Sequence, residues 1–136
     1  MVSLNGPQRL SREGKRNMPA FLFLQMFERR TLLKFQNVEL VGEANVYFGG
    51  KVSSRTFFEA DGQRKTLGFV LVGSYQFSTE EQEHLQILGG SLEIRLPGEN
   101  DYNCYNTGME VTIPAHVTFE IRTDTYGDYC CTYLPE

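Results

Sequence analysis

Glu83 is the side chain in this 136-residue sequence best placed to do chemistry. It begins the run Glu83-His84-Leu85-Gln86-Ile87-Leu88, in which alternate residues share one face of a strand. A Gly pair follows at 89–90 and an alternating run resumes at Leu92-Glu93-Ile94. Upstream, Tyr75, Phe77 and Thr79 share a face that continues toward Glu83. A carboxylate turned into a small β domain is costly unless it meets a donor or a ligand, so Glu83 is expected to act on a ligand. His84, one residue on, is expected on the opposite face. A second pattern runs from Gly108 through Glu110-Val111-Thr112-Ile113 to Pro114, then His116 and Phe119. It reads as a short strand closed by Pro, with His116 on the following rim. An imidazole there has the right pKa range to donate a proton.

The elements that must carry these residues read as short strands separated by turn signals. Leu33–Leu40 is a lead-in strand, and Asn45–Val52 is a strand broken by Gly49-Gly50. Ser54–Phe58 runs into the hairpin signal Asp61-Gly62. Thr66–Val72 and Tyr75–Thr79 are expected as two strands hinged at Gly73. Glu80–His84 is one helical turn or a polar loop. Leu85–Leu88 and Leu92–Leu96 are joined by a turn at Gly89-Gly90. Tyr102–Asn106, Glu110–Ile113, Thr118–Arg122 and Tyr129–Leu134 complete about ten strands, at the spacing of a sandwich or barrel. The fold class is therefore all-β.

Composition agrees with one globular domain: 40% hydrophobic and 22% charged residues. Residues 1–36 carry seven basic groups against two acidic, net +5, and the other hundred carry six against fifteen, net −9. An acidic domain of that balance is not a nucleic-acid binder. No apolar run reaches 18 residues, so no membrane span is expected. Three cysteines, Cys104, Cys130 and Cys131, make a poor disulfide framework and suit reduced thiols in the cytoplasm. Gly6, Pro7, Gly14 and Pro19 break up the N-terminal segment. Residues 1–30 are expected to be a disordered or irregular extension, residues 31–136 the domain, and Met26 could be the natural start.

The two patterns, in order and about 18 residues apart, resemble the two halves of the cupin consensus. That resemblance implies a double-stranded β-helix, a small jelly-roll barrel. Cupins normally hold a metal through two His and a Glu in the first half and a His in the second. Those positions fall on Phe77, Thr79, Glu83 and Phe119. Phe has no ligating atom, Thr is a poor ligand, and one carboxylate does not retain a transition metal. A metal-free barrel is expected, with Tyr75, Phe77, Thr79 and Phe119 lining it or filling its core.

The chain also resembles, over about residues 45–134, the small cupin-type pyrimidine/purine nucleoside phosphorylases of bacteria. The resemblance is carried by Tyr47-Phe48-Gly49-Gly50-Lys51-Val52, Gly73 through Thr79, Glu83 through Leu92, Gly108 through Phe119 and Asp128-Tyr129-Cys130-Cys131. Gln82 and Val72 stand where the family often has Pro. The resemblance implies a pentosyltransferase that converts purine and pyrimidine nucleosides and phosphate to free base and ribose 1-phosphate, with broad base tolerance. It further implies a homodimer needing no cofactor beyond inorganic phosphate as co-substrate. In such a reaction Glu83 would hold ribose hydroxyls or stabilise positive charge, and His116 would protonate the base or bind phosphate. Tyr75, Phe77 and Phe119 would stack on base or sugar, and Tyr133 would close the pocket or fill the core. Phosphate needs cations and hydroxyls. Arg64 and Lys65 follow the Asp61-Gly62 turn and read as a solvated hairpin tip, and Arg95 and Arg122 read as outward. Lys51 and Arg55, with Ser54 between, are the expected phosphate holders. The alternatives are a non-enzymatic metal-free cupin that binds a small sugar or nucleotide ligand, and a metal-free sugar isomerase or lyase.

Overall fold

Alternating burial builds eight antiparallel strands in a computed structural model of the chain, which describes residues 32–135. They are β1 Glu39–Leu40, β2 Asn45–Tyr47, β3 Val52–Phe58, β4 Arg64–Ser78, β5 Gln82–Arg95, β6 Asn103–Asn106, β7 Glu110–Ile113 and β8 Thr118–Leu134. The hydrogen-bonded order is β1-β3-β4-β8-β5-β6, with β2 added to β3 and β7 to β5. The extension expected over residues 1–30 lies outside the described residues, as does Met26.

β8 is the organising strand. Its first half pairs with β4 from Gly73 to Ser78 and with β5 from Glu93 to Arg95. Its second half pairs with β4 from Lys65 to Leu71 and with β5 from Gln82 to Gly90. The three long strands bend together, so the two halves of the sheet face each other across one core. Val52, Val70, Leu85 and Ile87 from one half meet Leu92, Ile94, Phe119 and Ile121 from the other. Each such side chain contributes about 1.5–3 kcal/mol by leaving water. This is the double-stranded barrel that the cupin resemblance implied.

The bends correct the expected count of about ten short strands. Gly73 does not divide two strands; the register of β4 on β8 shifts between Leu71 and Gly73 and the strand continues. Gly89-Gly90 does not reverse the chain. The register of β5 on β8 shifts on both sides of the pair, and the strand kinks from one half of the sheet to the other. Gly90 is required there: its φ is +66°, and a Cβ would lie 2.1 Å from the Tyr126 carbonyl oxygen. Thr118–Arg122 and Tyr129–Leu134 are likewise one strand. Glu80 and Glu81 form only a bend, and β5 has begun by Gln82. The lead-in strand shrinks to Glu39–Leu40, because Asn37 takes a left-handed φ of 54° and ends any extended run before it.

Two turns shape the cavity end. Asp61-Gly62 makes the expected hairpin between β3 and β4, with Gly62 N–H donating to the Glu59 carbonyl at 2.8 Å. Between β2 and β3 the 3-10 turn Phe48–Gly50 closes a second hairpin with three successive left-handed residues, Phe48, Gly49 and Gly50. A bulky residue at φ 52° is costly. The Phe48 ring offsets this by packing 5.0 Å from Tyr75 and 5.3 Å from Phe77, centroid to centroid.

Candidate active site

The inner faces of five strands enclose a cavity of about 160 Å³. β8 supplies Phe119 and Ile121 from its first half, and Tyr129, Cys131 and Tyr133 from its second, every other residue as the pleat requires. β5 supplies Glu83 and Leu85, β3 supplies Val52 and Ser54, β4 supplies Val70, Phe77 and Ser78, and β2 supplies Tyr47. Among the described residues, Glu83 is the one charged side chain in this lining. The Tyr129 ring is seated across the backbone of Gly68, where an added Cβ would stand 2.2 Å from its Cζ. Tyr47 and Phe77 meet edge to face at 5.6 Å, and Phe77 stacks toward Phe119 at 6.2 Å.

Burial raises the Glu83 carboxyl above its ordinary value of 4.5; the Cys131 thiol and the charge of Arg64 partly oppose this, while Glu81 adds to it. Cys131 Sγ–H donates to Glu83 Oε2 at 3.7 Å. Burial also pushes the Cys131 thiol and the Tyr129 and Tyr133 phenols up, so all three are neutral at physiological pH. The Tyr133 hydroxyl lies 3.3 Å from Thr66 Oγ1. Its ring carries the Arg64 guanidinium at 4.1 Å, and Arg64 Nη2 is 2.5 Å from Glu81 Oε1.

Five of the expected residues therefore come together: Ser54, Phe77, Glu83, Phe119 and Tyr133. The others stand elsewhere. Tyr75 is core; its hydroxyl donates to the Leu71 and Val72 carbonyls at the β4 kink. Thr79 is a buried latch between two loops. Its hydroxyl donates to the Pro114 carbonyl at 2.7 Å and accepts from Val117 N–H at 3.1 Å. His116 lies on the latched loop with φ 58°, exposed, its N–H donating to the Thr79 carbonyl. Lys51 is exposed, sits in the turn before β3 and does not line the cavity. Arg55 alternates with inward Ser54, and its guanidinium donates to the Gly42 carbonyl outside.

Arg95 and Arg122 face out as expected, bonded to Glu120 and Glu93. His84 also faces out, against Thr112 and Glu110. Arg64 keeps a side chain 42% exposed beside the Asp61-Gly62 turn, as expected of a hairpin tip, and lies over Tyr133. β4 already begins at Arg64, in phase with inward Thr66, Gly68 and Val70. Tyr47, Tyr129 and Cys131 line the cavity and are the residues that sequence reasoning passed over. The alternation of Tyr129, Cys131 and Tyr133 was the available signal for two of them.

At the cupin metal positions, Phe77, Glu83 and Phe119 line the cavity and Thr79 serves as the latch. Among the described residues no group of three or more His, Cys, Asp or Glu converges to hold a metal ion. One carboxylate among aromatic rings does not fit a transition metal.

Residues 42–133 match the family model described as pyrimidine/purine nucleoside phosphorylase. The chain belongs to that family. A Clostridioides difficile protein named pyrimidine/purine nucleoside phosphorylase is 44% identical over 103 residues, 76% of this chain and 98% of the relative. A protein of the same name from Sulfurimonas denitrificans is 47% identical over 103 residues, 76% of this chain and 99% of the relative. Among solved structures, an Acinetobacter protein described as of unknown function (DUF1255) superposes with a TM-score of 0.72 at 30% identity, covering 74% of this chain and 98% of that one. An RmlC-like cupin from Shewanella frigidimarina gives 0.55 at 15% identity, covering 78% and 91%, which shows the cupin fold alone.

Proposed function

We propose that this family member is a pentosyltransferase acting by phosphorolysis: nucleoside plus hydrogen phosphate gives free base plus ribose 1-phosphate. The observation that carries the reading is the family membership, joined to an inner-face cavity with a single buried-side carboxylate. The C1′–N bond breaks with its electron pair passing to the base, a phosphate oxygen bonds C1′, and the phosphate's proton ends on the base. The sugar passes through an oxocarbenium-like state. Glu83, in its ionised form, faces that positive charge from the partly buried inner wall and accepts from ribose hydroxyls. Cys131 Sγ–H fixes the carboxylate's second contact. Tyr47, Phe77 and Phe119 offer ring faces, and stacking serves every base, which supports broad tolerance.

Two further properties belong to the same reading. A homodimer would cover the outer face of β4, where Leu67, Phe69 and Leu71 are 40–47% exposed and Tyr126 stacks on Phe69 at 5.5 Å. A reducing cytoplasm suits three free cysteines. The reading needs no cofactor beyond phosphate. Uridine and adenosine are incubated with the protein, with and without inorganic phosphate, and free base is followed by chromatography. Base released only with phosphate is the expected result. Release in both conditions makes the protein a hydrolase, and release in neither removes the enzyme reading for these nucleosides.

A further inference from the structure

Inorganic phosphate carries one to two negative charges at neutral pH, and among the described residues the cavity lining holds no cation. Arg55, Lys65, Arg95 and Arg122 all occupy outward positions in their strands, Arg55 on the Gly42 carbonyl and the other three paired to Glu59, Glu120 and Glu93. Of the strand arginines and lysines among the described residues, Arg64 alone is in phase with the inward residues of β4, with its side chain 42% exposed. Its guanidinium lies over Tyr133, a residue of the cavity lining, and its charge acts on Glu83. Tyr133 also borders a second hollow, lined by Asp61–Arg64, Glu81 and Pro135, so Arg64 and the cavity lie on either side of one shared residue.

From this juxtaposition we infer that Arg64 captures the phosphate co-substrate at the cavity mouth, and that Glu81 holds the guanidinium until phosphate replaces it. The inference rests on the phosphorylase reading and adds to it the residue that recognises the anion. A guanidinium offers a planar fork of N–H donors that fits phosphate oxygens in pairs. Glu81 presents that fork with a carboxylate, an anion of similar donor demand, 2.5 Å away. Both side chains of the pair are more than a third exposed, and an ion pair of that kind is weak enough to exchange. Stacking on Tyr133 keeps the guanidinium in place during the exchange. The Tyr133 hydroxyl and Thr66 supply neutral donors on the same wall.

The test measures the phosphate KM and the uridine KM of phosphorolysis for the wild type, Arg64→Gln, Arg64→Lys, Glu81→Gln and Lys51→Ala. It also measures the Tm shift that inorganic phosphate produces in each. Arg64→Gln should raise the phosphate KM about tenfold or more, keep the uridine KM within about twofold, and lose the phosphate-induced Tm shift. Arg64→Lys should recover part of the phosphate affinity, because it keeps the charge and loses the fork. Glu81→Gln should lower the phosphate KM by removing the competing carboxylate. Should Arg64→Gln fail to fold, the Glu81→Gln change still decides: a phosphate KM unchanged or raised overturns the inference. So does an unchanged phosphate KM in folded Arg64→Gln, or a phosphate defect carried by Lys51→Ala instead. In each of these cases the wild type remains a phosphorylase. If the wild type itself releases base without phosphate, the phosphorylase reading fails first, and the inference with it.

Discussion

Glu120 and Glu83 stand on opposite faces of the same barrel, and their surroundings push them in opposite directions. Glu120 belongs to an outward cluster around Tyr102. The Tyr102 hydroxyl donates to it at 2.8 Å and Arg95 pairs with it, which together hold its carboxyl below the usual range. Arg122 pairs with Glu93 at 2.8 Å, and both guanidiniums cover the Tyr102 ring, at 4.9 and 3.7 Å. Two cations each meet an anion there. At the cavity mouth one arginine faces two glutamates. Glu81 takes the ion pair, and burial raises Glu83, whose close contact is a neutral thiol. The same residue types make a closed scaffold on one face and an unsaturated site on the other. An unsaturated site is the kind a ligand completes.

Glu83→Gln makes the largest break in this comparison. Loss of kcat/KM by about 100-fold or more is expected, the scale of removing one electrostatic contact from a transition state. The fold should respond the other way. A raised carboxyl binds its proton more tightly folded than unfolded, so the wild type loses stability as pH rises from the ordinary 4.5 through the folded value. The amide has no charge to bury, so Tm at pH 7 should rise in Glu83→Gln and its pH dependence in that window should flatten. A Tm that falls, with activity kept, would return Glu83 to the scaffold.

Cys131→Ala comes next. It removes the donor that lowers Glu83, so the acid limb of the kcat/KM profile should move to higher pH, with a loss of about tenfold at pH 6 by the usual size of a hydrogen bond to a charged group. Cys131→Ser keeps a donor and should restore most of the profile; a limb that stays in place in Cys131→Ala would show the thiol to be packing only. In the outward cluster, Arg122→Gln should leave both KM values unchanged and lower Tm slightly. A KM effect there would erase the distinction between the faces. Phe69→Asp is the mildest for catalysis. It tests the proposed homodimer: light scattering should give a monomer for Phe69→Asp and a dimer for the wild type, while the cavity stays intact.

Most of the fold was legible because period-2 alternation survives in the sequence, from Glu83 to Ile87 and from Tyr129 to Tyr133. The continuity of β4, β5 and β8 was not. A glycine that kinks a strand between paired neighbours looks, read locally, like a glycine that ends one; only the pairing of β4 and β5 along all of β8 tells Gly73 and Gly90 apart from turn residues. Glu83, Phe77 and Phe119 were found through the cupin spacing. Arg64 lies next to the Asp61-Gly62 turn as read, and only the fold shows that its guanidinium covers the ring of cavity residue Tyr133. Thr79 and Tyr75 have the right phase for the cavity, but their hydroxyls are committed to backbone carbonyls, which alternation does not show.

The central claim, that the inner face of this barrel transfers ribose to phosphate, is tested most directly by identifying the sugar product. Uridine is turned over in phosphate buffer, uracil is counted by chromatography and ribose 1-phosphate by phosphorus NMR in the same sample. The two should appear in equal amounts, and both should disappear in Glu83→Gln. Free ribose in place of ribose 1-phosphate, or full turnover by Glu83→Gln, would contradict it.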